Sequence, residues 1–231
     1  MVGLARKLRK ILLQEDEPAR IVDAAKAAIG VFEISLEKNP PGKPLDCKMG
    51  CAYCCSRLVG VSSPEVFLVA EHILESADPF LAREAVLERA ATTVGVDTDG
   101  RVKRRTLCAL LKEGACAIYA DRPLACRANA SHSVAACLRA FEGKGSNIPA
   151  PLVHLFLGDR CRMAIYAALR SLGYPAVSYE LSEAVSVILL EDDARARWYA
   201  GEDIFAGVQA PPDRSEQMDA AISEIAAAIS F

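Results

Sequence analysis

Residues 45–57 read Leu45-Asp46-Cys47-Lys48-Met49-Gly50-Cys51-Ala52-Tyr53-Cys54-Cys55-Ser56-Arg57 and follow the run Asn39-Pro40-Pro41-Gly42-Lys43-Pro44. Proline lacks an amide proton and disfavours helix in the residue before it, so the run stops any helix arriving from upstream. The cysteine stretch itself has neither the 3.6-residue nor the two-residue apolar period that core burial requires. It is expected to be a loop or a single helical turn built around something other than packed hydrocarbon.

Outward from this loop the pattern becomes helical. Upstream, helices are predicted over Leu4–Leu13 and Glu17–Lys38, the second with Ile21, Ala24, Ala25, Ala28 and Val31 on one face. Downstream, Leu58–Val61 reads as a short strand. Ser62-Ser63-Pro64-Glu65 reads as a helix start, with Ser63 as cap and Pro64 in the first turn. Another helix is predicted from Pro79 to Val94, closed by Gly95. In Leu107–Tyr119 two apolar runs flank Glu113-Gly114, the pattern of a small hairpin with a cysteine on each arm. Helices then return at Ser133–Phe141, Arg160–Leu172, Tyr179–Leu190, Arg195–Tyr199 and Ser215–Ile229. The expected fold is mainly α, a helical domain with a central cysteine-rich loop region and one small β-hairpin. Its parts are N-terminal helices over 1–40, a cysteine-cluster metal-binding region over 41–130 and a C-terminal helical region over 131–231, joined in one compact domain.

The chain has 231 residues, 52% hydrophobic, with a net charge of −3 and 9 cysteines. That length buries a core without crosslinks, and the charge argues against a basic nucleic-acid binder. No apolar run approaches the ~20 residues of a membrane span. The N-terminal Met1–Arg20 has basic residues but no continuous apolar segment, so a secretory signal is not expected and a cytoplasmic location is. In that compartment stable disulfides are rare, and nine thiols cannot all pair.

Seven of the nine fall between positions 47 and 126: Cys47, Cys51, Cys54, Cys55, Cys108, Cys116 and Cys126. Close pairs preorganise two or three sulfurs and distant ones tie other segments to the same ion, which is the logic of thiolate metal sites. These seven are the candidate metal ligands. They exceed one four-coordinate site. A single four-cysteine site with spare sulfurs is favoured over two adjacent sites completed by a shared thiolate, His132 or Asp46. Adjacent Cys54 and Cys55 are expected to point in different directions, one of them away from the centre. Cys137 and Cys161 lie on helical patterns and read as packing residues. His72 and His154 read as structural, which leaves His132 as the one non-sulfur candidate.

These motifs resemble the YkgJ-type cysteine-cluster proteins, a zinc- or iron-chelating domain. Its C-x3-C-x2-C-C pattern falls on Cys47, Cys51, Cys54 and Cys55. Its C…C-x-I-Y-x-x-R-P-x-x-C-R block falls on Cys108, Cys116-Ala117-Ile118-Tyr119, Arg122-Pro123 and Cys126-Arg127. The resemblance covers about residues 45–130. It departs from the family's pattern at Ala128-Asn129-Ala130, where members often continue into an aromatic-proline step.

Irregular spacing with one tight triad sits closer to iron–sulfur ligation than to the paired knuckles of structural zinc. A four-iron (4Fe-4S) cluster is therefore favoured over zinc. The triad Cys47, Cys51, Cys54 also has the spacing by which radical S-adenosylmethionine enzymes hold such a cluster. Flagellin lysine methylases, which carry this domain, make a methyltransferase-type enzyme binding S-adenosylmethionine the alternative, beside a structural zinc module or metal carrier. Arg122 and Arg127 are candidate cofactor-binding cations, since four thiolates on a divalent ion leave about −2 of charge. Arg101-Val102-Lys103-Arg104-Arg105 reads as a solvated loop. The expected partner is the metal ion or cluster, with room for a protein partner; neither membrane nor nucleic acid is expected. No phosphate loop, nucleophile elbow or metalloprotease motif occurs, and no catalytic residue is assigned.

Overall fold

The computed structural model describes residues 1–16, 18–145, 147–208 and 215–230. Among these the chain forms eleven α-helices and two two-stranded antiparallel sheets. Helix α1 (Val2–Leu12) and helix α2 (Arg20–Lys38) precede the proline run. The predicted helix start at Glu17 lies outside the described residues.

A 3-10 turn, Tyr53–Ser56, carries the middle of the cysteine loop. Strand β1 (Gly60–Val61) then leads into helix α3 (Ser63–Leu74). The cap of α3 is Ser62, one residue before the predicted Ser63. Glu65 completes a capping box there, accepting the Ser62 N–H at 2.9 Å and its hydroxyl at 2.7 Å. Helix α4 (Pro79–Thr93) starts on Asp78, whose carboxylate accepts the Leu81 N–H.

Helix α5 (Thr98–Arg104) replaces the loop expected at the basic run. Asp97 caps it by accepting the Gly100 N–H at 2.8 Å. Arg101 anchors it, being 5% exposed and donating to Glu180 Oε1 at 2.9 Å. A buried ion pair thus outweighs the poor helix propensity of Gly100. The hairpin forms as predicted, β2 (Leu111–Lys112) against β3 (Ala115–Cys116). Its turn residues Glu113 and Gly114 both have positive φ, 51° and 80°, as a two-residue hairpin turn demands. Cys116 lies on β3, but Cys108 lies just ahead of β2 rather than on it.

A five-residue helix, α6 (Leu124–Ala128), follows the Arg122-Pro123 turn. It is succeeded by α7 (Val134–Phe141) and α8 (Leu152–Ser171), the latter starting eight residues before the predicted Arg160. Strand β4 (Tyr179–Glu180) pairs with β1, Gly60 opposite Glu180 and Val61 opposite Tyr179. The predicted helix at Tyr179 therefore begins only at Leu181, as α9 (Leu181–Leu190). Helices α10 (Ala194–Tyr199) and α11 (Glu216–Ile229) complete the chain.

Helix α8 is the centre of the core, packed by α1, α2, α6 and α11, while α3 lies against α2, α4 and α9. One contiguous apolar cluster runs from Ala5 on α1 to Ile229 on α11. Trp198 is fully buried and stacks on Tyr174 with ring centroids 4.2 Å apart. Among the described residues no helix is long and apolar enough to cross a membrane. The cysteine loop, the hairpin and α6 lie together at one side of this helical scaffold.

Candidate metal centre

Three segments without helical periodicity, and one short helix, meet here. Backbone hydrogen bonds set their approach. Cys108 N–H donates to Cys55 O at 2.8 Å, fastening the hairpin's entry to the 3-10 turn. Ala117 N–H donates to Leu110 O at 2.8 Å and closes the hairpin. Asp46 N–H donates to Ser131 O at 3.1 Å, and Ser131 N–H points back at Cys47 Sγ at 3.1 Å. Gly50 turns the loop with φ of 89°, a conformation that costs a residue with a side chain. Leu124 N–H, at the start of α6, donates to the buried Glu65 carboxylate on α3 at 2.8 Å.

The result is one cavity of about 350 Å³ whose wall contains all seven clustered cysteines, Cys47, Cys51, Cys54, Cys55, Cys108, Cys116 and Cys126. Cys54 and Cys55 both face it, against the expectation that one would turn away. In a 3-10 turn neighbouring side chains lie a third of a circle apart, and the cavity lining reaches both. The sulfurs enclose a space rather than a point. Among the described residues no three His, Cys, Asp or Glu side chains form a tight set that would hold a single ion.

Burial raises the thiols of Cys47, Cys51 and Cys116, lifts Cys108 to about 11 and raises Cys126 well above the ordinary range. The exception is Cys54, lowered to about 6. A hydrogen bond from the Cys55 thiol favours its thiolate, and Arg57 and Arg122 add attraction. The same bond and burial raise Cys55.

Arg122 lines the cavity, its guanidinium 3.7 Å from the Tyr119 ring centroid and its Nε donating to Tyr119 O. Arg127 does not line it. Its guanidinium is taken up by Arg122 O, Ala120 O and the Glu33 carboxylate, which ties α6 to α2. Neither His132 nor Asp46 lines it. His132 Nδ1 donates to Pro44 O at 2.9 Å, and the Asp46 carboxylate accepts the Val134 N–H at 3.0 Å. His72 pairs with Asp121 at 2.9 Å, and buried His154 bonds Arg127 O at 3.3 Å, both structural roles.

Of the two cysteines read as packing residues, Cys161 is 3% exposed in the core. Cys137 is half-exposed on α7 and lines a second cavity with Cys47, Cys51 and Cys54. Helical periodicity around it hid this. Its position a short way past the Cys126-Arg127 block was the available signal.

Residues 46–144 match the model of the family "CxxCxxCC: Putative zinc- or iron-chelating domain". No curated protein and no solved structure matches the chain. The matched segment contains the seven sulfurs of the first cavity, Cys137 and every backbone bond that fastens the loop, hairpin and α6 together. Over this segment, 99 of the 231 residues, the chain is similar to that zinc- or iron-chelating cysteine-cluster domain.

Proposed function

We propose that the chain holds a thiolate-ligated iron–sulfur cluster of the four-iron type, drawing its ligands from Cys47, Cys51, Cys54, Cys55, Cys108, Cys116 and Cys126. The observation that carries this reading is the cavity of about 350 Å³ walled by those seven sulfurs. A mononuclear zinc site brings four sulfurs to about 2.3 Å from one ion and leaves no room between them. A cluster of several iron and sulfide atoms needs the space that is here.

The donor chemistry fits the same group. All seven candidates are thiols, Ser131 N–H already points at Cys47 Sγ, and Lys48, Arg57 and Arg122 supply positive charge at the wall. Bound there, such a cluster supplies one-electron redox chemistry. The chain's own contribution is to hold the thiolates at fixed positions and to shield the cluster behind Ile118, Leu110 and Leu181.

Anaerobic purification tests the reading. A brown protein with a broad visible absorption band, and iron with acid-labile sulfide in equal amounts, supports the cluster. A colourless protein with stoichiometric zinc and no sulfide replaces the cluster by a zinc site in the same cavity.

A further inference from the structure

Cys137 on α7 is only partly buried, unlike Cys161 in the core. It lines a second cavity, of about 390 Å³, together with Cys47, Cys51 and Cys54. Those three also wall the first cavity, whereas Cys55, Cys108, Cys116 and Cys126 face the first cavity and not the second. Of these eight sulfurs three, on the strip of chain from Cys47 to Cys54, line both cavities, four only the first, and Cys137 only the second.

Helix α7 is held against that strip from several directions. The Asp46 carboxylate accepts the Val134 N–H in its first turn. Ser131, just ahead of it, bonds the strip twice through its backbone: its carbonyl accepts Asp46 N–H and its N–H meets Cys47 Sγ. The Tyr53 ring packs against Phe141 with centroids 5.8 Å apart. Arg57 and Lys103 bring positive charge to the second cavity, opposed there by the carboxylate of Asp99. Four thiolates on a metal carry net negative charge, which this cationic side offsets.

We infer that Cys47, Cys51, Cys54 and Cys137 hold a second thiolate-ligated iron–sulfur centre, beside one held by Cys55, Cys108, Cys116 and Cys126. The inference rests on the metal centre proposed above and extends it from one centre to two. Each set has the four sulfurs that an iron–sulfur cluster takes. The Ser131 N–H at Cys47 Sγ is then an outer contact of the second centre.

The test uses the full-length chain, purified anaerobically, with metal and sulfide counted per chain. Cys137→Ser is expected to lose about half of the wild-type metal, Cys116→Ser about half, and Cys161→Ala none. In the wild type, alkylation mapped by mass spectrometry is expected to spare Cys137 while metal is bound and to modify it after chelation. This second measurement decides the matter if Cys137→Ser does not fold. Full metal content in Cys137→Ser, or equal alkylation of Cys137 with and without metal, overturns the second centre and leaves the first standing. A wild-type chain that holds no metal overturns the proposed function itself.

Discussion

The carboxylate of Glu65, in the first turn of α3, accepts the backbone N–H of Leu124, the first residue of α6, at 2.8 Å. Its other oxygen caps α3 through the Ser62 N–H and hydroxyl. One buried side chain, 1% exposed, thus fixes both the start of a core helix and the short helix that presents Cys126.

Glu65→Ala is expected to leave buried donors without partners. The cost is about 3 kcal/mol, or roughly 6–12 °C in melting temperature for a chain of this size. Emission of the single Trp198 follows the melt. Because α6 then loses its anchor, metal content should fall in parallel. A variant that melts lower yet keeps its full metal content separates α6 placement from this bond.

Arg101 and Glu180 form an ion pair at 2.9 Å with both side chains almost wholly buried. Arg101→Met strands the Glu180 carboxylate and should cost about 3–5 kcal/mol in urea unfolding. The double variant Arg101→Met with Glu180→Gln removes the stranded charge while keeping an acceptor for the Glu183 N–H, and should recover much of that loss. Equal stability of the single and double variants would contradict the pair's role as the anchor of α5.

At Gly158 on α8 an added Cβ would stand 2.6 Å from Ala128 Cβ on α6. Helix α6 is therefore seated on α8 through a contact only glycine permits. Gly158→Ala should push α6 outward and lower stability by about 1–3 kcal/mol. Pairing it with Ala128→Gly should restore the melting temperature, and failure to do so would place the clash elsewhere.

Metal loading should weaken as pH falls. In the proposed site the ligands are thiolates, and burial lifts Cys108 to about 11 and raises Cys126 well above its ordinary value, so both carry protons at neutral pH in the metal-free chain. Binding must release those protons, and acid competes with metal. Zinc competition against a chelator between pH 6 and 8 should show affinity dropping about tenfold or more per unit of pH decrease. A flat profile would argue against thiol ligands.

How much of this was legible beforehand can be seen element by element. The hairpin at Glu113-Gly114 was readable because a glycine-containing pair between two short apolar runs specifies a turn locally. The loop of residues 45–57 was readable as a loop because it has no period to bury. Helices α5 and α6 were not. The first contains Gly100 and a run of cations, and the second is only five residues long. Each is stabilised by a distant carboxylate, Glu180 for α5 and Glu65 for α6. Arg127 shows the same limit. Its motif position suggested a cation at the centre, while its guanidinium in fact joins α6 to α2 through Glu33.

Read alone, the amino-acid order determined that this is a helical protein interrupted by a thiol-rich segment with metal-binding chemistry. Helical periods, proline stops and cysteine spacing are local properties that need no partner to be recognised. The tertiary structure alone decided that the seven sulfurs share one cavity, that Cys54 and Cys55 both face it, and that Cys137 borders the neighbouring space with Cys47, Cys51 and Cys54. It also decided that β1 finds β4 across more than a hundred residues. Those outcomes depend on contacts between segments far apart in the chain, such as the bonds of Glu65 to Leu124 and of Arg101 to Glu180, which no local period specifies.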